Sequence, residues 1–396
     1  MIRHIFKLIW NRKRSLAWIF VEQALVFGIL LFCFTSLVNL VTQYYSKGTI
    51  RFENIAQLGA AKFDRFQVFE EGEEEAIEAQ FRNMVERMKD WQSVDIVSIN
   101  RNFAVPHSGA YKNDTLIFNG RAYRAEIRFC DENYYKMFSL KLNAGEWFRD
   151  SDVSEIPPAL ITQKLADNMG LTGNVIGQTI EYNGRIYRIT GVVEALKINA
   201  YSPQSSSLFM PASTATNING WQCVVKYKQG QERDFSRAFV AEFYRNFPRD
   251  QFKPENLSLY KMQSINTFGQ ATLQLYAFSI PTAFLLIFAF LGTFGVVWMQ
   301  SKKRMSEMGL RIALGCTPAR LQRLIILENL ILTTLAMTPG LIVVANLYAF
   351  SPKGWEWLAA VGAAITLMWL FSAFSAWYPA RQAAKVQPVE ALKANQ

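Results

Sequence analysis

The stretch that decides the fold is SEMGLRIALGCTPARLQRLIILENL, residues 306–330. Its first half has the periodicity of an amphipathic helix. The apolar stripe of this helix consists of Met305, Met308 and Ile312. Gly315 is typical of the left-handed residue that ends a helix, and Thr317 before Pro318 is typical of the start of a new one. The second helix runs directly into an apolar segment. The stretch therefore predicts a short surface helix joined by a tight turn to a membrane span.

Apolar runs of membrane-spanning length occur four times in the chain. Hydrophobic residues make up 51% of the 396 residues and charged residues only 19%. The four runs are residues 15–41, 275–299, 324–350 and 357–378. At ~1.5 Å per residue each is long enough to cross a hydrocarbon core of about 30 Å. The alternative for the first run is a cleaved signal peptide, but its apolar part exceeds about 15 residues and no small-residue cleavage pattern follows it.

The positive charge of the chain indicates a membrane topology. The formal net charge is +10, yet residues 44–274 contain 27 Lys and Arg and 27 Asp and Glu. The excess lies before the first run, between the second and third, and after the fourth, with Lys353 as the exception. Because Lys and Arg concentrate on the cytoplasmic side, we expect both termini in the cytoplasm and residues 42–274 outside. Membrane lipids are the expected partner of this charge, and nucleic acid is not expected.

The outside region reads as a mixture of helices and strands. Helical periodicity covers residues 73–91 and 232–247, and strand alternation covers residues 94–100 and 222–230. Residues 158–171 read as a strand that runs into a short helix. Two further segments read as β-hairpins, because Asn119-Gly120 and Asn183-Gly184 are typical hairpin turns. The fold class predicted is an α-helical membrane protein with four transmembrane helices and a large α+β extracytoplasmic domain between the first and second.

Residues that would carry out catalysis are scarce. The chain has two histidines, His4 and His107, and lacks the sequence patterns of zinc proteases, serine hydrolases and phosphate-binding loops. We therefore expect no catalytic residues, no metal site and no bound cofactor, and no ATPase within this sequence. Cys130 and Cys223 both lie outside the membrane, where they are compatible with a disulfide or with two separate buried thiols.

Three groups of motifs resemble MacB/FtsX-type ABC permeases. The opening stretch is similar to the family's E-I-G-L-R-K-A-L-G-A-T followed by a basic helix start, and Glu328 matches an acid early in the third span. The tail YPARQAAKVQPVEALK, residues 378–393, resembles the family's closing motif. The tail residues shared with it are Pro379, Ala380, Ala383, Pro388, Glu390, Ala391 and Leu392. In the outside region, residues 134–152 and 159–193 resemble two further segments, with Trp147 in place of the usual arginine.

The resemblance implies an outside domain with a Porter-like lobe made from both of its ends and a Sabre-like lobe inserted between them. It also implies a dimer with a second permease, either the same chain or a related one, and a cytoplasmic ATPase that uses ATP; a periplasmic adaptor is a further candidate partner that the residues leave open. The expected organisation is as follows: amphipathic N-terminal helix 1–14, first span 15–41, extracytoplasmic domain 42–274, second span 275–299, coupling loop 300–323, third span 324–350, outside loop 351–356, fourth span 357–378 and cytoplasmic tail 379–396.

The short helix in the coupling loop is the predicted contact with the ATPase. The residues assigned to this contact by the resemblance are Glu307, Gly309, Leu310, Arg311, Ala313, Leu314, Gly315 and Thr317. A DNA-binding helix-turn-helix has the same order of helix, tight turn and second helix, but its recognition helix does not run into more than twenty apolar residues. A helix that only rests on the inner leaflet is the other alternative. A coupling helix instead moves as a rigid body with the span to which it is joined.

The function expected is that of a permease subunit in the inner membrane. It would couple ATP hydrolysis to movement of the outside domain, for export or extraction of a peptide, lipoprotein or amphiphilic compound. Glu22 and Glu328 are the ionisable residues within the spans, both near the cytoplasmic ends, and pairing with nearby Arg or Lys is the interpretation we favour. The alternative function is an FtsX-like regulator that activates a cell-wall hydrolase without transport.

Overall fold

The structure is a computed structural model that describes most of the chain. The described residues are 13–62, 72–101, 104–106, 112–149, 151–152, 154–171, 173, 175–215, 221–303, 305–350 and 355–383. The chain divides into two compact units, one formed by Gln43–Ala271 and the other by the residues before and after it. The predicted N-terminal helix 1–14 lies outside the described residues except for its last two positions, and so does the tail after residue 383.

Within the described residues, four helices are long and apolar enough to cross a membrane. They are α1 (Lys13–Tyr45), α7 (Leu273–Lys303), α9 (Pro318–Phe350) and α10 (Trp355–Ala383). The prediction of four membrane helices is therefore confirmed. Each helix is longer than the apolar run that predicted it, because apolarity marks the hydrocarbon layer whereas the helix ends only where the backbone turns.

The membrane helices pack through apolar and small residues. Phe27 and Leu30 of α1 form a buried cluster with Met337 of α9 and Met368 of α10. A Cβ added at Gly340 would lie 2.9 Å from Cδ1 of Phe27, so glycine permits this close approach.

Polar side chains also lie within the bundle. Asn329 and Thr333 of α9 hydrogen bond to the Ser372 hydroxyl of α10 at 2.8 and 2.7 Å. Glu22 lies against Gly292 of α7. Among the described residues the Oε2 atom of Glu22 has no hydrogen-bond partner. The pairing with Arg or Lys that the sequence favoured for Glu22 is thus not made by this oxygen within the described part of the chain.

One lobe of the outer unit is a β-α-β unit repeated once. Its elements are β1 (Ile55–Lys62), α2 (Glu73–Met88), β2 (Val94–Asn100), β10 (Gln222–Tyr227), α5 (Glu232–Asn246) and β11 (Phe252–Ser258). The strands form an antiparallel sheet in the order β11-β1-β10-β2. Phe81 of α2 and Phe239 of α5 are buried in the core between helices and sheet. This lobe is made from both ends of the outer domain, as the resemblance implied.

The other lobe is a seven-stranded mixed sheet inserted between the two halves of the first. Its elements are β3 (Lys112–Phe118), β4 (Arg121–Cys130), α3 (Tyr134–Met137), β5 (Leu142–Gly145), β6 (Pro158–Thr162), α4 (Gln163–Asn168), β7 (Thr179–Tyr182), β8 (Arg185–Val193) and β9 (Ser207–Pro211). The strand order is β5-β8-β6-β9-β4-β3-β7. Pairs β4–β9 and β6–β8 are parallel. The α+β fold class is confirmed.

Local features of the outer domain follow its sequence closely. Both hairpins are confirmed, because Asn119 and Asn183 have φ of 49° and the glycine after each has φ of 72°. Trp147, which replaces the usual arginine, is buried and stacks on Tyr134 with ring centroids 6.3 Å apart. The extra apolar area therefore contributes to the core that joins the two lobes. Cys130 and Cys223 are separate buried free thiols.

The chain leaves the outer domain through a continuous helix. The helix α6 (Leu259–Thr267) follows β11 without a loop, and a π-helical turn at Phe268–Thr272 leads from α6 into α7. Hydropathy places the start of the second span at residue 275, whereas the helix begins sixteen residues earlier at Leu259. The first part of this helix is polar, which is why the apolar run does not mark it.

Candidate coupling site

The predicted short helix is present and ends as its sequence indicates. Helix α8 spans Met305–Ala313. After it, the Cys316 N–H donates to the Arg311 carbonyl and the Gly315 N–H donates to the Ile312 carbonyl, both at 2.9 Å. These two bonds are the Schellman pattern, and Gly315 has the left-handed φ of +93° that the pattern requires. The prediction that Gly315 ends the helix in a left-handed turn is confirmed.

A new helix starts at once after this turn. Helix α9 begins at Pro318, and the Thr317 carbonyl accepts hydrogen bonds from the N–H groups of Arg320 and Leu321 at 3.0 and 3.1 Å. Thr317 thus occupies the position before the first helical residue, as predicted, and Pro318 fits there because it has no N–H to donate. The link between α8 and α9 is Leu314–Thr317, which leaves little slack between the two helices.

One face of α8 is fixed to the membrane helices. Met308 is buried in a cluster that contains Val297 of α7, Leu321 of α9 and Ala380 of α10. Ile312 and Cys316 pack against the same cluster. Three alanines of α10 line it at helical spacing, which lets the side chain of Met308 approach the helix closely. These alanines are Ala376, Ala380 and Ala383. Two of the tail residues that carry the resemblance, Ala380 and Ala383, therefore belong to the surface against which α8 packs.

The opposite face of α8 is exposed and partly apolar. The side chains of Leu310 and Leu314 are 52% and 80% exposed. Beside them Arg311 donates to Glu307 at 2.7 Å in an i,i+4 ion pair. Such exposed pairs contribute only about 0.2–0.5 kcal/mol to helix stability, so the pair chiefly sets the charge pattern of this face. Exposed apolar side chains rimmed by charges are typical of a protein-binding surface.

Basic side chains flank α8 in the sequence. The exposed basic residues nearest to it in sequence are Lys302, Lys303, Arg320 and Arg323. Lys302 lies over the ring of Trp298, 5.3 Å from its centroid, in a cation–π contact. Within the described residues no group of three or more His, Cys, Asp or Glu is placed to hold a metal ion. The surface is thus suited to contact a protein or anionic lipid.

The eight residues assigned to the site divide by their position on α8. Leu310, Ala313 and Leu314 lie on the exposed side, while Gly309 is buried. Glu307 and Arg311 are partly exposed and joined to each other. Gly315 and Thr317 shape the turn. The sequence analysis missed that Met308 packs against the alanines of α10. The signal that could have predicted this contact is the spacing of these small residues by three and four positions.

In the part of the chain that the structure describes, four membrane helices, a two-lobed domain inserted after the first and a short helix between the second and third define an α-helical membrane protein with a large α+β domain. Two families match this chain: the MacB-like periplasmic core domain over residues 24–237 and the FtsX-like permease C-terminal domain over residues 279–388. The chain belongs to the MacB/FtsX-type ABC permeases. The match to the MacB-like core domain does not favour the alternative of an FtsX-like regulator.

Individual relatives are distant. The macrolide export ATP-binding/permease protein MacB of Aggregatibacter actinomycetemcomitans is 24% identical over 219 residues, which cover 53% of this chain and 33% of that protein. The ABC transporter permease YknZ of Bacillus subtilis is 22% identical over 280 residues, 68% of this chain and 70% of that protein. The solved periplasmic region of MacB from Actinobacillus actinomycetemcomitans is 17% identical, with a TM-score of 0.38, over 54% of this chain and 94% of that one. The chain thus spans about a third of the length of the first relative.

Proposed function

We propose that this chain is the permease subunit of an ABC transporter and that α8 is its contact with a separate cytoplasmic ATPase. ATP hydrolysis on the ATPase displaces α8, the membrane helices pass the displacement on, and the extracytoplasmic domain moves. The observation that carries this proposal is the division of α8 into two faces. Leu310 and Leu314 are exposed, while Met308 on the other side is held by three membrane helices.

The packing of α8 suits it to transmit motion. Met308 and Ile312 prevent α8 from rolling about its own axis, because both lie in the cluster formed with α7, α9 and α10. The link from Leu314 to Thr317 is closed by hydrogen bonds at both ends. A partner that presses on Leu314 would therefore shift the ends of the membrane helices as a body. A helix that only rested on lipid would not need such an attachment.

Charge supports a cytoplasmic position for α8. Lys and Arg near the ends of spans favour the cytoplasmic side, and Lys302, Lys303, Arg320 and Arg323 flank α8 on either side in the sequence. The topology we propose has both termini in the cytoplasm and the two-lobed domain in the periplasm or outside the cell, which agrees with α8 inside and with four membrane helices. The membrane is then the bacterial inner membrane, as for a MacB-like periplasmic domain.

A separate subunit supplies ATP hydrolysis in this proposal. The sequence has no G-x-x-x-x-G-K-S/T loop to cradle phosphates, and the YknZ relative is named a permease. A second permease chain completes a dimer, and a periplasmic adaptor is a further partner implied by the family. The substrate class we propose is a peptide, lipoprotein or amphiphilic compound; macrolide export is named as the activity of the MacB relative alone.

The test uses the full chain in lipid nanodiscs, purified from its host with the ATPase that accompanies it. Leu314→Glu places a charge on the exposed face of α8 without disturbing the buried face. We expect this variant to insert normally and to lose the stimulation of ATP hydrolysis by the permease, because the apolar contact is replaced by a solvated carboxylate.

The matched control is Leu257→Glu in β11 of the outer domain. Leu257 is also exposed, at 42%, so the same charge is added to the same residue type on the other unit. Stimulation should persist in this control. If Leu314→Glu stimulates ATP hydrolysis as strongly as the wild-type chain, α8 is not the contact.

A further inference from the structure

Lys197 caps the C-terminal end of α1 with hydrogen bonds. The Nζ atom of Lys197 donates to the main-chain carbonyl oxygens of Gln43, Ser46 and Ala200, at 3.3 Å for Ser46 and 2.8 Å for Ala200. An ammonium group has three donors, so these three acceptors use all of them. Gln43 lies in the last turn of α1, and its carbonyl oxygen also accepts hydrogen bonds from the Ser46 N–H at 3.2 Å and the Ser46 hydroxyl at 2.8 Å. Lys197 therefore acts as a C-terminal cap from a distant part of the chain.

The burial of Lys197 shows that this contact is built into the fold. Its exposed fraction is 0%, and lysine is almost never fully buried unless its charge is compensated. All three acceptors are carbonyl oxygens, and one of them belongs to the negative end of a helix of 33 residues. Desolvation lowers the pKa of Lys197, which is the expected cost of holding an amine at this position.

The backbone of Lys197 joins the same chain connection a second time. The Lys197 N–H donates to the Gly48 carbonyl at 2.7 Å, and the Ile50 N–H donates to the Lys197 carbonyl at 3.0 Å. Gly48 has φ of +103°, and a Cβ added there would lie 2.6 Å from the Cβ of Ala195. Only glycine allows the chain after α1 to lie this close to residues 195–200, which we call the anchor segment.

The connection to the second membrane helix reaches the same anchor segment. Gln263 lies in α6, which continues through the π-helical turn into α7. Its Nε2 donates to the Ile198 carbonyl at 3.1 Å and to the Ile50 carbonyl at 3.4 Å. One side chain thus bridges the anchor segment and the chain that follows α1. Both connections between membrane helices and outer domain are bound to one short segment.

We propose that Lys197 and Gln263 are positioning residues that fix both membrane-helix connections to the anchor segment, so that a displacement of α1 and α7 moves the outer domain. This role rests on the proposed function. Helix ends fray, and a frayed connection would absorb a displacement instead of passing it on. With Lys197 in place, the end of α1 and the anchor segment move as one body.

The test measures the contact with the ATPase and the response of the outer domain separately. The full chain with its ATPase in lipid nanodiscs is compared as wild type, Lys197→Met and Gln263→Leu, with Lys164→Met as control. Lys164 is an exposed lysine of α4. Two quantities are measured: the stimulation of ATP hydrolysis, and the change in hydrogen exchange of residues 46–51 and 195–200 on addition of ATP and vanadate.

We expect Lys197→Met and Gln263→Leu to retain stimulated ATP hydrolysis and to lose the ATP-dependent change in exchange. A role in folding alone would lower both quantities together. If Lys197→Met fails to insert, Gln263→Leu decides, because it removes only two hydrogen bonds. A wild-type exchange response in Gln263→Leu, or in an inserted Lys197→Met chain, overturns the proposal. If the wild-type chain itself shows no response to ATP, the proposed function fails and this role fails with it.

Discussion

The substitution Gly315→Ala isolates the backbone cost of the turn between α8 and α9. Gly315 has φ of +93°, and a Cβ added there meets no heavy atom within 4 Å among the described residues. No clash adds to the cost, so the left-handed conformation alone sets it, at about 1–2 kcal/mol for a residue with a Cβ. A free-energy change of this size should raise the open population of the turn about 5- to 30-fold.

Hydrogen exchange of the full chain in nanodiscs measures this opening. The amides that report on it are those of Leu314, Gly315 and Cys316, which donate to carbonyls of α8. Gly170→Ala is the matched control, because Gly170 also has a positive φ, +72°, and open space around it, but lies in the outer domain. Exchange at the turn that is unchanged in Gly315→Ala, or equally raised in Gly170→Ala, would show that the left-handed conformation of Gly315 does not set the stability of this turn.

Two further predictions concern charge and pH. Arg311→Glu reverses the charge of one partner of the exposed ion pair, and Gly315→Pro removes the N–H that donates to the Ile312 carbonyl. Both variants should insert into the membrane and lose permease-stimulated ATP hydrolysis. Unchanged stimulation in both variants would contradict the coupling role. In the outer domain, desolvation raises the pKa of Glu242, but hydrogen bonds from Arg87, Asn246 and Arg245 outweigh it and hold the pKa below its usual value of 4.5. The stability from this group is present above pH 4.5 and is lost as pH falls through the folded-state pKa. The melting temperature of the Glu242→Gln variant should therefore fall less steeply than that of the wild type as the pH is lowered. An equally steep fall in the variant would show that Glu242 does not contribute.

Local features of the fold could be predicted because their causes are local. The apolar runs mark the membrane helices, and the Asn-Gly pairs mark the hairpins through their left-handed conformation. The end of α8 was predictable for the same reason, since Gly315 and Thr317-Pro318 determine it over a few residues. The apolar stripe read from the sequence contains Met308, which the structure buries.

Long-range features could not be derived in this way. Strand β1 pairs with β10, whose residues lie more than 160 positions later, and no periodicity reports which strands meet. Lys197 gives no sequence signal because its partners are main-chain carbonyls that every residue possesses. The two lobes were inferred from resemblance and not from the residues alone. The exposure of Leu310 and Leu314 likewise depends on which face of α8 the ends of α9 and α10 cover.

The coupling role that we propose for α8 requires that an ATPase contacts its exposed face. A photo-crosslinking residue, p-benzoylphenylalanine, at position 314 tests this contact directly in the complete complex, with the same residue at position 257 as the control. We expect a crosslinked product with the ATP-binding subunit from position 314, whose yield changes when ATP and vanadate are added, and none from position 257. A crosslink to that subunit from position 257 and not from position 314 would contradict it.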